Sequence, residues 1–284
     1  MARIIGGIAT SHIPAIGKAI AQGTQDQPYW KPFFDGYAPV HAWLHEEQPD
    51  VAVMIYNDHG LNFFLDKMPT FAVGAAPEYL NADEGWGLPV SMPYPGFPEL
   101  SWHMIESLVN EEFDLTMCQE MLVDHGFVVP LSLLWPGKEA RPVRVIPVAV
   151  NTVQFPLPTP ARCFKLGQAI GHAIESFDGD HRVVIIGSGG MSHQLDGERA
   201  GYINKTFDVS YLNRIVDDVA ELCCMSVAEL VLMAGAQGVE LLNWLVMRGA
   251  MTGHVTEKHR NYHVPISNTA GAVMLLENET AMAR

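Results

Sequence analysis

Four short runs constrain the fold most tightly. Ile4–Ala9, Val51–Tyr56, Val143–Val150 and Val183–Ile186 are compact, apolar and rich in β-branched residues. Runs this short and this apolar read as strands buried on both faces, the condition of a largely parallel sheet. Between or after them lie longer stretches with apolar residues at helical spacing. These are Leu100–Glu112, Ala161–Phe177, Phe207–Cys224 and Val227–Arg248, the last closed by Gly249 in a C′ position. Strands alternating with helices predict an α/β fold: a central, largely parallel or mixed twisted sheet flanked by helices, with its active site at the carboxyl ends of the strands. The run from Val264-Pro265-Ile266 to Leu276 predicts a late strand, and Pro265 places it at an edge or at a strand start. Residues 66–98 carry Pro/Gly clusters such as Gly85-Trp86-Gly87-Leu88-Pro89 and read as one long ordered loop. No repeat, charge block or low-complexity linker interrupts residues 1–284, which are expected to form a single domain.

Charge removes whole classes of function. Lys and Arg number 17 against 32 Asp and Glu, a formal net charge of −15. Such a surface repels phosphate backbones and anionic lipids, which argues against nucleic-acid and membrane-surface roles. The N-terminus lacks the sustained apolar core of a signal peptide, and no stretch is long enough to span a bilayer. Cys118, Cys163, Cys223 and Cys224 form no C-x-x-C pattern, which favours free thiols in a reducing compartment. A soluble cytoplasmic protein is expected.

Three of the 12 histidines recur in one context. His12 lies just beyond the first predicted strand and His59 just beyond the second. His193 follows another strand and the Gly-rich turn Gly187-Ser188-Gly189-Gly190. Ligands of open α/β sheets bind in the crevice beyond the carboxyl ends of the strands, so residues far apart in sequence converge there. One such histidine alone is more often a loop residue bonded to backbone; three together favour a shared site. His125, in Val123-Asp124-His125-Gly126, sits in a loop ahead of a helix-like segment. Glu240 falls in the least polar part of the last helical stretch, with Arg248 as the only cation near it in sequence. An ionised Glu buried there costs several kcal/mol unless it is paired or bound to a cation. Local pattern alone weighs equally for a Glu on an exposed stripe. Two histidines and one carboxylate form the facial triad of non-haem Fe(II) oxygenases, but zinc accepts the same donors, so ligand type leaves the metal open. The Gly-rich turn lacks full dinucleotide-binding spacing, Ser188 and Ser192 form no nucleophile elbow, and Asp83-Glu84 reads as a solvated turn.

With these residues assembled, the chain resembles the large catalytic β subunits of the LigB family, the type II extradiol dioxygenases of the protocatechuate 4,5-dioxygenase class. The matching segments include Ser11-His12-Ile13-Pro14, Tyr56-Asn57-Asp58-His59, Ala82-Asp83-Glu84-Gly85-Trp86-Gly87 and Val123-Asp124-His125-Gly126. Gly189-Gly190-Met191-Ser192-His193, Gly238-Val239-Glu240-Leu241 and Tyr262-His263-Val264-Pro265-Ile266-Ser267-Asn268 continue it in order along the chain. The resemblance implies that His12, His59 and Glu240 bind one Fe(II), with O2 as co-substrate. It implies that His193 is the catalytic acid–base, that His125 lies in the substrate pocket as a second catalytic residue, and that Ser267 and Asn57 receive the ring carboxylate. The reaction it implies is opening of protocatechuate at the 4,5-bond to 4-carboxy-2-hydroxymuconate semialdehyde. Gallate, or a related carboxylated catechol, is the alternative substrate, and a zinc hydrolase with the same triad is the alternative chemistry. Because no helical domain follows the large-subunit motifs, a separate small helical α subunit is expected to cap the site, in an αβ unit that dimerises to α2β2.

Overall fold

The computed structural model describes residues 1–85, 93–137, 143–251 and 253–278. In chain order the elements are β1 (Arg3–Thr10), α1 (Pro14–Gln22), α2 (Lys31–Asp35), α3 (Ala38–Glu47), β2 (Val51–Tyr56), β3 (Phe71–Gly74), β4 (Glu78–Asn81), β5 (Tyr94–Pro95), α4 (Pro98–Asn110), β6 (Thr116–Cys118) and β7 (Leu122–Val123). They continue with α5 (His125–Leu134), β8 (Arg144–Val150), α6 (Pro160–Ser176), β9 (Arg182–Ser188), α7 (Lys205–Asp217), α8 (Val219–Cys223), α9 (Val227–Ala234), a 3-10 turn (Gly238–Glu240), α10 (Leu241–Ala250), β10 (Val255–Ile266) and β11 (Thr269–Asn278).

Every residue of β2 is buried, and its side chains alternate between two apolar layers. Val51, Val53 and Ile55 enter one layer, while Ala52, Met54 and Tyr56 enter the other. β9 does the same, with Val183 and Ile185 on one face and Val184 and Ile186 on the opposite face. A strand with period-2 side chains that are apolar on both sides must be covered on both sides. Helices α4, α6, α7 and α10 cover the first face, and α1, α2, α3 and α5 cover the second. The result is an eight-stranded sheet in the order β10-β11-β1-β9-β2-β8-β3-β6. Its centre, β1-β9-β2-β8, is parallel, whereas β11 joins β1 and β3 joins β8 antiparallel. The expected α/β class therefore holds, as a mixed sheet with a parallel core.

Several sequence expectations shift at the boundaries. The predicted helix Phe207–Cys224 is two helices, because the Asp218 side chain caps a second start by accepting from the Glu221 N–H. The predicted helix Val227–Arg248 breaks at Gly235, whose φ of 91° ends α9, and resumes through the 3-10 turn into α10. Gly249 is not a C′ residue but lies inside α10. The stretch 66–98 is not one loop, since β3, β4 and β5 fall within it; Trp86, Gly87, Leu88 and Pro89 lie outside the described residues. The late strand is a hairpin, β10–β11, with β10 and its Pro265 at the sheet edge. No disulfide joins the four cysteines, and among the described residues no helix is long and apolar enough to cross a membrane.

Helices α6 and α10 meet backbone to backbone. A Cβ added at Gly167 would lie 2.1 Å from the Val246 carbonyl oxygen, and one at Gly249 would lie 2.2 Å from that of Phe164. Gly167→Leu is therefore expected to force the helices apart and to cost about 1–3 kcal/mol or more, as overpacking does. A thermal melt checks this, and an unchanged Tm would contradict the close crossing.

Candidate active site

The parallel order β1-β9-β2 sets three strand ends side by side. Thr10 is paired with Ser188, and Gly187 is paired with Ile55. Each strand then releases one histidine at the same edge, His12 after β1, His59 after β2 and His193 after β9. Neighbouring strands lie about 4.8 Å apart, so side chains leaving adjacent ends fall within contact range. His12 and His59 stand with ring centroids 5.0 Å apart at 88°. Glu240 ends the 3-10 turn that leads into α10 and packs on Gly189, just beyond β9. Its Oε1 lies 3.3 Å from His12 Nε2 and 3.7 Å from His59 Nε2. The exposed-stripe reading of Glu240 is excluded, because the residue is 6% exposed. Arg248 is no partner for it; that guanidinium donates to the carbonyls of Ile215, Met251 and Gly253.

The imidazole tautomers follow from their neighbours. Ser188 Oγ donates its one hydrogen to the Gly126 carbonyl at 2.5 Å, so it accepts from His12 Nδ1 at 2.8 Å. His12 thereby turns an unprotonated Nε2 toward Glu240. Asp124 Oδ2 accepts both the His59 backbone N–H, at 2.7 Å, and the Nδ1–H, at 2.9 Å. The His59 Nε2 points into the same space, 2.9 Å from Asn57 Nδ2. Asn57 Nδ2 also donates to Glu240 Oε1 at 3.4 Å, and Asn243 fixes that amide by donating to its Oδ1 at 3.1 Å. Burial pushes the His12 imidazole down, which favours its neutral form. Burial would also lower His59, but the Asp124 and Glu240 carboxylates outweigh it and raise the ring. Burial would raise Glu240, yet protonation of the imidazoles around it, His12 foremost, holds it well below the usual carboxylate range. An ionised carboxylate and two Nε2 atoms thus converge, each imidazole oriented by a second hydrogen bond as metal-ligating histidines are. These donors fit a divalent metal, and a proton on His59 and an ion would compete for one lone pair.

His193 sits on a buried, hydrogen-bonded turn. Residues 183–193 are all buried. Gly190 N donates to Glu240 Oε2 at 2.7 Å, Met191 N to the Ala270 carbonyl and His193 N to the Ala234 carbonyl. Gly189 is needed because Glu240 packs directly on it; an added Cβ would lie 2.8 Å from that of Glu240. His193 Nδ1–H donates to the Met191 carbonyl at 2.8 Å, which leaves Nε2 as its working nitrogen, 3.9 Å from Glu240 Oε2.

His125 is the first residue of α5, not a loop residue, and Asp124 is the N-cap. Its ring stacks on His59 with centroids 4.0 Å apart, and ring nitrogens of His12, His59 and His125 come within 4.8 Å of one another. Ser267 is exposed at the β10–β11 turn with φ 56°, two residues before Thr269, which bridges to His193. Four contributors were not assigned a role from sequence: Ser188, Asp124, Asn243 and Glu84. Asp124 carried a signal, as an acid directly before a candidate histidine.

Asp124→Asn leaves one acceptor oxygen for three N–H donors, those of His59 and that of Gly126 at 2.9 Å. Metal affinity is expected to fall roughly 10–100-fold, the usual effect of losing such an orienting partner. A chelator-competition titration reads it, and unchanged affinity would remove Asp124 from that role.

The comparisons with known proteins point one way. Residues 6–273 match the family described as catalytic LigB subunit of aromatic ring-opening dioxygenase. A gallate dioxygenase of Pseudomonas putida is 42% identical over 197 residues, 69% of this chain and 58% of that protein. A 2,3-dihydroxyphenylpropionate/2,3-dihydroxicinnamic acid 1,2-dioxygenase of Photorhabdus laumondii is 33% identical over 189 residues, covering 66% of this chain and 55% of that one. Its namesake from Comamonas testosteroni is 29% identical over 263 residues, 75% of this chain and 78% of that one. The chain thus spans a little over half the length of the first two. The crystal structure of an uncharacterized Escherichia coli K12 protein shares the fold, with a TM-score of 0.57 at 14% identity over 95% of this chain and 99% of that one. With a match across nearly its whole length and a His/His/Glu cluster at the parallel strand ends, the chain belongs to the LigB family of aromatic ring-opening dioxygenase catalytic subunits.

Proposed function

We propose that this chain is a non-haem Fe(II) extradiol dioxygenase that opens the ring of a carboxylated catechol, gallate first and protocatechuate second. The observation that carries the reading is the convergence of His12 Nε2, His59 Nε2 and Glu240 Oε1 on one point at the parallel strand ends. The preference for gallate rests on the 42% identity to a gallate dioxygenase. His12, His59 and Glu240 would hold the ion. Glu240 suits the third position better than His125, because its carboxylate faces both His12 Nε2 and His59 Nε2 and its charge offsets the ion's, which a neutral imidazole cannot do. When bound, ferrous iron would supply open positions where both catecholic oxygens and dioxygen meet.

The chain's own residues do the rest. His193 Nε2 takes a proton from a ring hydroxyl and later returns it, the general acid–base work that a positioned imidazole performs. The Met191 carbonyl keeps that proton transfer on Nε2 by holding Nδ1–H. His125 faces the ring, and Ser267 with Asn57 receives the ring carboxylate. Because the Asn57 amide sits against His59 and Glu240 here, a substrate must draw it away from them.

A separate small helical partner belongs to the proposal, in an αβ unit that dimerises to α2β2. Phe64 and Leu65, which follow His59 in sequence, and Leu80 and Leu122, paired across β4 and β7 with Leu122 shortly before His125, are exposed apolar side chains that such a partner would cover. The setting proposed is cytoplasmic. The test is anaerobic Fe(II) loading followed by air and gallate or protocatechuate. Stoichiometric oxygen uptake with a product heavier by one O2 is expected, with the higher kcat/KM for gallate. No oxygen uptake with any carboxylated catechol would overturn the reading, and a preference for protocatechuate would overturn its finer part.

A further inference from the structure

Two carboxylates grip the stacked histidines in the same way. Asp124 Oδ2 takes both the backbone N–H and the Nδ1–H of His59. Glu84 does this to His125: Oε2 accepts the backbone N–H at 2.6 Å and Oε1 accepts the Nδ1–H at 2.8 Å. Glu84 therefore does not belong to a solvated turn. Its neighbour Asp83 is exposed and caps Gly85, but the Glu84 side chain is only 15% exposed. The segment is tied down by the Ala82 N–H, which donates to the Val123 carbonyl two residues before His125.

An ionised carboxylate carries no hydrogen, so a ring nitrogen hydrogen-bonded to it must be the donor. A neutral imidazole gripped at Nδ1–H has its hydrogen there and presents Nε2 as an acceptor. For His59 that acceptor faces Glu240. For His125 the ring lies 4.0 Å from His59 and 5.5 Å from His12, over the same space. A catecholic substrate brings hydroxyl hydrogens into that space, and an acceptor matches a hydroxyl donor. We infer that Glu84 is a positioning residue: it fixes the ring and tautomer of His125 so that Nε2 accepts a hydrogen bond from a ring hydroxyl of the substrate. This rests on the dioxygenase reading above and assigns Glu84 a task in it.

The rival is that Glu84 merely anchors the first turn of α5 through the His125 backbone N–H, where the helix end favours an anion. A double-mutant cycle separates the two. Glu84→Ala is expected to lower kcat/KM roughly 10–100-fold, the range for removing an orienting carboxylate, with iron content unchanged. Glu84→Gln, which keeps one acceptor oxygen, should lose less. The pair Glu84→Ala/His125→Ala should be no worse than His125→Ala alone, because Glu84 acts through that ring. Multiplying losses in the double variant would overturn the inference. A second readout needs no turnover: 15N spectra of ring-labelled histidine in the metal-free protein, with His125 assigned by its loss in His125→Ala. Wild type should show His125 protonated at Nδ1, and Glu84→Ala should shift it toward Nε2. His125 protonated at Nε2 in wild type, or unmoved in the variant, would also overturn it. If wild type opens no ring at all, the dioxygenase reading fails, while the tautomer result still decides what Glu84 does.

Discussion

Glu240→Gln is expected to leave the fold intact and to empty the metal site. The change is nearly isosteric, and the amide oxygen can still accept from Gly190 N, as Glu240 Oε2 does at 2.7 Å. What it removes is the carboxylate that faces His12, His59 and His193 together. A divalent ion would then enter a buried space lined by neutral imidazoles, without an anion to offset the loss of its water. Bound Fe(II) should fall from one per chain to under about a tenth. Ring opening should fall by at least ~10³-fold, since metal stabilisation of developing charge is worth several kcal/mol and each 1.4 kcal/mol is tenfold in rate. Iron analysis after anaerobic loading, beside a circular-dichroism melt, makes the measurement. Iron retained at one per chain with ordinary turnover would remove Glu240 from the ligand set.

His193→Ala is expected to do the reverse, keeping the iron and losing the rate. The His193 ring is tied to the Met191 carbonyl through Nδ1, and its Nε2 lies 3.9 Å from Glu240 Oε2. The ring can thus reach a proton beside the triad without being part of it. General acid–base catalysis contributes about 10²–10⁴-fold, so kcat should fall by that factor with iron content unchanged. The surrounding turn should survive, because its bonds from Gly190, Met191 and His193 are made by backbone N–H groups. A kcat within a few-fold of wild type would reassign the proton transfer to another group.

The parallel core was legible because fully buried strands write themselves as unbroken apolar runs. Val51–Tyr56 was predicted to the residue, and the other three runs came within two residues of β1, β8 and β9. Once those strands were placed, the topology brought His12, His59 and His193 together. Helix breaks were harder to read. Asp218 and Gly235 interrupt apolar spacing that continues across them, so periodicity joined what capping and a left-handed glycine divide. β3, β4 and β5 were hidden because they run only two to four residues between prolines and glycines. The orienting partners Ser188, Asp124, Asn243 and Glu84 were not legible as such. Apart from Asp124, which directly precedes His125, they stand away from any histidine in sequence, where a polar side chain reads the same whether it meets one in space or faces water. Burial decided Glu240, which the helical pattern alone had left even.

The most direct test of the His12, His59 and Glu240 centre is crystallographic: crystals grown without oxygen, loaded with Fe(II) and measured at the iron absorption edge. A single anomalous peak bonded to His12 Nε2, His59 Nε2 and a Glu240 carboxylate oxygen is the predicted result. Iron bound by His12, His59 and His125 with Glu240 left out, or no iron at the strand ends, would contradict it.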